Sequence, residues 1–357
     1  RLATAGGDKN VRLWRLSYAG PTPAVDYLAT LARHNGAVNC VRWSPVAPVL
    51  ASASDDGQII LWTQNVGADD LPDAEYWSPS RLLRGPSGGD VYDMAWSPCG
   101  GYLASACIDR SVRVWETRRG TCVRTIPNHD HYVQGVAWDP MNRVIASMAA
   151  DRTLRLYSVA GNGAPAVPLI PVVAPATKRT WRLWPGEETG SFFRRLAFSP
   201  DGKLLFVPTG LWPPTDAAAA VTASATNETD TESRCVYVFA TGGLQQPSPT
   251  PLLCIAGFKE HPLIVAVNPR AYRLRLPRSS SSPPDTPPPR LLDLPGYRFV
   301  FAVLTQDSVR FYDTQQRQPL AVLEGLHYAR YTDAAWTPRG DALVMASLDG
   351  YCSVMAV

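Results

Sequence analysis

Apolar residues in this chain fall in short alternating runs rather than at helical spacing, and the runs recur. Val11 to Trp14, Ile59 to Trp62, Val112 to Trp115, Leu154 to Tyr157 and Val309 to Tyr312 each end on an aromatic. An Asp stands six residues ahead of that aromatic in Asp8 to Trp14, Asp56 to Trp62, Asp109 to Trp115 and Asp151 to Tyr157, with a weaker copy at Gln306-Asp307 before Tyr312. Alternation of this kind marks a strand with one buried face, and an Asp at its head marks a tight turn whose backbone the side chain can bind.

A second run, aliphatic at its start and aromatic at its end, precedes these strands and closes on a Pro turn. It occurs as Val38 to Trp43 before Ser44-Pro45, Val91 to Trp96 before Ser97-Pro98, and Val133 to Trp138 before Asp139-Pro140. It returns as Phe193 to Phe198 before Ser199-Pro200 and Tyr331 to Trp336 before Thr337-Pro338. Together the two signals read strand, turn, strand, turn, strand. A unit of about 40 to 45 residues built in this way matches the WD-repeat blade of a β-propeller.

The pattern predicts an all-β, seven-bladed WD-repeat propeller forming a single domain over 1–357. Its blades fall at approximately 1–33, 34–84, 85–127, 128–160, 191–256, 257–324 and 325–357, with insertions at 160–190, 211–233 and 278–290. The first blade opens on a second strand and the last ends on a third, so the propeller reads as truncated at its N-terminal closing strands, with residues before Arg1 expected to supply them. The tract Ser279 to Pro284 is expected to be disordered, since it holds nothing that could build a core. The apolar run Ala164 to Ala176 is too short and too rich in Pro to span a bilayer and reads as a linker.

Composition narrows the partners. Charged residues are 18% of the chain and the formal net charge is +3, so no global field marks a nucleic-acid binder and any basic surface must be local. Sequence-specific DNA binding and a membrane partner are not expected. Seven cysteines, odd in number and without C-x-x-C or His/Cys ligand spacing, read as free thiols in a reducing compartment. No metal or cofactor site is indicated, and the sequon at Asn227 carries no weight without a signal peptide.

A hydroxyl recurs four residues before the Asp, as Thr4, Ser52, Ser105 and Ser147. With His34 or His129 ahead of the blade, these residues resemble the His, Ser/Thr, Asp, Trp hydrogen-bond network of WD repeats. The expected structural set is His34, Ser52, Asp56, Trp62, Ser105, Asp109, Trp115, His129, Ser147, Asp151 and Tyr157. A His buried between strands must donate its ring N–H, and the turn Asp is the acceptor within reach. Gly85 to Gly89 fits the hydrolase pattern G-x-S-x-G, but that chemistry needs a strand-to-helix elbow and here the strand Val91 to Trp96 follows. It reads as a turn, and no enzyme is expected.

Several segments are more specific. Asp90 to Trp96, Tyr132 to Pro140, Ser191-Phe192-Phe193-Arg194-Arg195, Asp307 to Gln316 and Asp349 to Ser353 resemble the family of the middle, WD-repeat subunits of chromatin assembly factor 1. The resemblance covers nearly the whole chain. It implies a nuclear, non-catalytic subunit of a histone chaperone that deposits histones H3 and H4 on newly replicated or repaired DNA. The implied partners are the large subunit, the small WD-repeat subunit and histones H3–H4, met directly or through the large subunit. The family's Asf1-type partner is engaged through a C-terminal tail that lies outside these residues. Pro86 departs from the family's Gly-His pair, so the third blade is expected to lack a full network.

Two other readings stay open: the propeller of a Hir-type replication-independent histone chaperone, and a WD-repeat substrate receptor of a ubiquitin ligase. In any of the three, binding is expected on one rim, at the first residues of the inner strands. The candidates are Tyr92, Tyr132, Gln134, Phe192, Arg194, Arg195 and Arg330, since aromatics beside Arg are enriched in interface centres. Arg194 and Arg195 are expected to be free of structural duty, so that exchanging both for Glu weakens large-subunit capture and leaves folding intact. The alternative for Tyr92, Tyr132 and Phe192 is packing between blades. Lys178, Arg179 and Arg182 form a candidate anion patch or a solvated linker.

Overall fold

A computed structural model of the chain describes residues 1–17, 24–65, 75–85, 88–127, 129–159, 165–168, 184, 191–212, 233–244, 250–275, 292, 294 and 296–357. The readings at Pro86, at Lys178, Arg179 and Arg182, at Asn227 and at Ser279 to Pro284 fall outside the described residues, as do most of the three insertions.

The described residues are strands and turns, with one 3-10 turn at Thr241–Gly243. They group into two compact units, Arg1–Val173 and Ala174–Val357. In the first unit, β1 (Leu2–Ala5), β2 (Asn10–Ser17) and β3 (Ala24–Ala32) make a three-stranded sheet. The next sheet is β4 (Val38–Trp43), β5 (Val49–Ser54), β6 (Gln58–Asn65) and β7 (Tyr76–Arg84). It is followed by β8 (Val91–Trp96), β9 (Tyr102–Cys107), β10 (Val112–Glu116) and β11 (Thr121–Ile126), then by β12 (Val133–Trp138), β13 (Val144–Ala149), β14 (Leu154–Val159) and β15 (Pro165–Pro168).

The second unit has three sheets. They are β16 (Ala197–Phe198) to β19 (Leu253–Phe258) through β17 (Leu204–Trp212) and β18 (Ser233–Ala240); β20 (Ile264–Arg273), β21 (Tyr297–Leu304), β22 (Ser308–Asp313) and β23 (Gln316–Glu324); and β24 (Tyr331–Trp336), β25 (Ala342–Ser347) and β26 (Cys352–Ala356). Strand order follows the chain in every sheet, all pairs within them are antiparallel, and the seven sheets are those of the seven-bladed β-propeller class.

Alternation decides which neighbour each side chain meets. Ile59 and Leu61 pack with Val91, Met94 and Leu103 of the following sheet, whereas Ile60 and Trp62 pack with Val11, Leu13 and Leu31 of the preceding one. Both faces of a strand are therefore buried, against different sheets. The second strands carry Ala at these layers, with Ala51, Ala53, Ala104 and Ala106 fully buried, and such small side chains let sheets approach while aromatics fill the remaining space.

The hairpin turns explain the recurring Asp. The residue after it has a left-handed φ in five repeats: Lys9 (70°), Gly57 (73°), Arg110 (70°), Arg152 (69°) and Gly350 (86°). That conformation is costly for a residue with a Cβ. In each turn the Asp Oδ1 accepts the backbone N–H two residues on, from Asn10 (3.2 Å), Gln58 (3.0 Å), Ser111 (3.2 Å), Thr153 (3.0 Å) and Tyr351 (2.9 Å). The side chain thus supplies the bond that holds the strained turn.

Candidate functional site

Two of the sheets assemble the expected hydrogen-bond chain in full or nearly so. In the second sheet the Trp62 indole N–H donates to Ser52 Oγ (2.9 Å), Ser52 bonds His34 Nε2 (2.7 Å), and His34 Nδ1 bonds Asp56 Oδ2 (2.9 Å). The fourth repeats it with Tyr157 in place of Trp: Tyr157 to Ser147 (3.1 Å), Ser147 to His129 (2.7 Å), His129 to Asp151 (2.8 Å). The second carboxylate oxygen of each Asp also accepts a backbone N–H from the residue after the His, Asn35 or Asp130.

Electrostatics follow from this placement. Burial holds the His129 imidazole below its usual range, and so favours the neutral ring that donates through Nδ1. Burial alone would raise Asp151, but the His129 bond and charge outweigh it and hold the carboxyl below the ordinary range. Asp56 is likewise lowered, burial being outweighed by the Asn35 N–H and the His34 ring. Ser, His and Asp in this order share the connectivity of a hydrolytic triad. Here, however, Ser52 and Ser147 are fully buried and each Oγ is already engaged by an aromatic donor. No position remains for a substrate carbonyl.

The third sheet replaces the His with an Arg. Trp115 still donates to Ser105 (3.0 Å), but the Arg113 guanidinium, 1% exposed, pairs with Asp109 and reaches Cys107 Sγ (3.7 Å). Gly85 lies close against it, and a Cβ there would meet the end of the Arg113 side chain, which would have to shift. Burial pushes the Cys107 thiol up to about 11, against the pull of Arg113, so it stays protonated. Sequence reasoning also missed His327, whose Nδ1 bonds Asp349 (3.0 Å) and whose Nε2 bonds Ser353 (2.9 Å). Its signal is the 22-residue His-to-Asp spacing shared with His34–Asp56 and His129–Asp151.

The rim candidates divide. Tyr92 is buried, meeting Tyr132 edge-to-face at 6.0 Å, and burial pushes its hydroxyl up to about 12. Gln134 is fully buried and Tyr132 half-buried. In the second unit Phe192 is 55% exposed and Arg330 half-buried.

Arg194 and Arg195 correct the expectation of a free arginine pair, for they are 0% and 4% exposed. The Arg195 N–H donates to Leu263 O (2.9 Å) and its carbonyl accepts from Val265 N–H (3.0 Å), an exchange that joins the segment before β16 to β20. Its guanidinium lies over Phe193 (4.7 Å), donates to Thr332 O (3.0 Å) and pairs with Asp333 (3.3 Å) on β24. One residue therefore joins the segment before β16 to β20 through its backbone and to β24 through its side chain. Asp93 plays a comparable part in the first unit, taking Arg42 of β4 (3.4 Å) and the Val136 N–H of β12 (3.2 Å).

Among the described residues no cluster of His, Cys, Asp and Glu could hold a metal ion, and no helix is long and apolar enough to cross a membrane.

Comparison with known proteins places this geometry. The model of the CAF1B/HIR1 beta-propeller domain family matches residues 1–357. The chain is 37% identical to the CAF1B protein of chromatin assembly factor 1 from Gallus gallus, over 99% of its own length and 62% of that protein's. It is 33% identical to the Saccharomyces cerevisiae protein of the same name, over 100% of the chain and 80% of that protein. Protein HIR1 of Kluyveromyces lactis is 26% identical over 99% of the chain and 40% of its own length. The chain spans just over three fifths of the vertebrate relatives it matches. On a match that runs through all seven sheets, the chain belongs to the CAF1B/HIR1 β-propeller family.

Proposed function

We propose that this chain is the non-catalytic interaction platform of a nuclear histone chaperone of the chromatin assembly factor 1 type, which deposits histones H3–H4 on replicated or repaired DNA. The observation that carries the reading is the identity of 33 to 37% to CAF1B proteins of chromatin assembly factor 1, against 26 to 28% to those named HIR1. Hir-type assembly is therefore the second reading. Sealing of both Ser–His–Asp chains supports a platform without turnover chemistry of its own.

The large subunit is the partner proposed for the second unit's rim, where Phe192 stands in solvent on the backbone held by Arg195 and Arg330 lies half-buried. Histones H3–H4 and the small WD-repeat subunit complete the proposed complex. Exchanging Phe192 for Asp removes an aromatic anchor and leaves the buried arginines in place. It should weaken capture of the purified large subunit at least tenfold in a titration, with melting unchanged. Unaltered affinity would remove Phe192 from the interface.

A further inference from the structure

The sheet β20–β23 is electrically divided along its strands. At the end where β20 begins stand Glu260, Asp307 and Glu324, with Lys259 beside Glu260 and Arg234 paired to it (3.7 Å), as the pairings Ile264 with Leu304, Leu304 with Val309 and Ser308 with Glu324 require. At the opposite end stand Arg270, Arg273, Arg275, Arg298 and Arg317, brought together because Arg273 pairs with Tyr297, Tyr272 with Arg298, and Asp313 with Gln316.

Turns of the neighbouring sheets extend this basic end. Lys203, in the hairpin before β17, donates to Tyr297 Oη (2.7 Å) and sits 5.2 Å over its ring. Arg339 is carried by the hairpin before β25, whose Gly340 carbonyl accepts from Asn268 Nδ2 (2.8 Å) and Tyr272 Oη (3.2 Å). Arg298 stacks 5.2 Å over Tyr272. Cations thus alternate with tyrosines across three sheets of one unit.

The acids described here, Asp201, Asp313 and the exposed Asp341 beside Arg339, are outnumbered by these cations. Buried Asp313 is taken up by Arg298 (2.7 Å) and Arg275 (3.5 Å), and Asp201 by Lys203 (3.9 Å) and Tyr297 (2.5 Å). Arg270, Arg273, Arg317 and Arg339 are exposed, and no ion pair involves them among the described residues. No exposed large hydrophobic side chain of the described residues lies at this end of β20–β23 itself; on the flanking sheets Leu252 and Val357 stand at its margin, the Val357 N–H donating to Asp341 O (2.9 Å). A protein segment docks around an apolar anchor, whereas a nucleic-acid backbone asks for a broad field of cations and hydrogen-bond donors.

We infer that this end of the second unit is a binding surface for the phosphodiester backbone of duplex DNA, without sequence preference. Four or five phosphates fit the cations available. The surface is separate from the rim that carries Phe192, and the inference does not depend on the partner proposed there.

The test is fluorescence anisotropy of the 357-residue chain with a labelled 30-base-pair duplex of arbitrary sequence, titrated at several salt concentrations. The logarithm of affinity should fall against the logarithm of salt with a slope of about −4, losing roughly 250-fold between 50 and 200 mM. Joint exchange of Arg270, Arg273, Arg317 and Arg339 for Glu should abolish at least nine tenths of the affinity. Exchange of the exposed Arg118, Arg119 and Arg124 of the first unit for Glu should leave most of it. Single Arg270→Gln and Arg317→Gln variants, checked by melting, should each lower the slope by about one and keep the result readable if the fourfold variant does not fold. No binding at 50 mM salt, equal losses in the two charge-reversed variants, or tighter binding of a 20-residue polyglutamate than of the duplex would overturn the inference.

Discussion

The recurring Asp does three things with two oxygens, and its partners decide what its loss costs. In Asp151 one oxygen holds the left-handed turn at Arg152, while the other takes the His129 ring and the Asp130 N–H. An Asp151→Ala protein should be less stable by about 1 to 3 kcal/mol, a neutral buried donor being left unsatisfied. Asp109→Ala should cost more, about 3 kcal/mol or above, because it removes the carboxylate that pairs with the buried guanidinium of Arg113. Urea denaturation compares the two, and equal losses would show that Arg113 does not depend on Asp109. The Asp and aromatic positions are legible in the sequence because they recur at fixed spacing. Arg113 is not, since nothing in the linear pattern tells a buried Arg from a solvated one. His261 occupies the His position before β20, yet Pro262 follows it with no N–H to offer and its Nδ1 has no partner among the described residues. Burial, with Arg234 and Arg194 beside it, lowers its pKa to about 4. A folded value below the unfolded value of about 6.5 means that the unfolded chain binds more protons. The contribution is complete above pH 6.5 and is lost as pH falls towards 4. Melting temperature should therefore drop from pH 7 to pH 5, and less steeply in His261→Gln; parallel curves would contradict this.

At the scale of the strand, the inner strands share a feature that alternation hides. β4, β8, β12 and β24 each carry a register shift after their first residue, at Val38/Cys40, Val91/Asp93, Val133/Gly135 and Tyr331/Asp333. The extra residue is Asn39, Tyr92, Gln134 or Thr332, and two of these, Tyr92 and Gln134, are rim candidates from the sequence. A bulge re-aims its residue and breaks the period of two, so counting along the chain finds the position but not the direction of the side chain. Tyr92 and Gln134 turn inward for this reason. The segment before β16 departs further, since its ladder with β17 has only two registered pairs and Arg195 pairs instead with β20. Arg195→Ala should therefore destabilise the chain by about 3 kcal/mol, because Asp333 and the Thr332 carbonyl lose their shared donor. A thermal or urea midpoint unchanged by that substitution would return Arg195 to the free role expected from sequence.

At the scale of the molecule, seven sheets are readable from recurring turns because each sheet solves the same packing problem against its neighbours. Local charge is not readable in this way. A net charge of +3 conceals an end of β20–β23 where arginines of three non-adjacent stretches converge, and only strand pairing shows it. Binding of partners is a property of the assembled surface. The most direct measurement is size-exclusion co-elution of the purified chain with the large subunit of chromatin assembly factor 1 and, separately, with the partner subunits of a Hir-type complex. The expected result is a stable one-to-one complex with the large subunit that survives physiological salt, and none with the Hir-type subunits. Co-elution with the Hir-type subunits alone would contradict it.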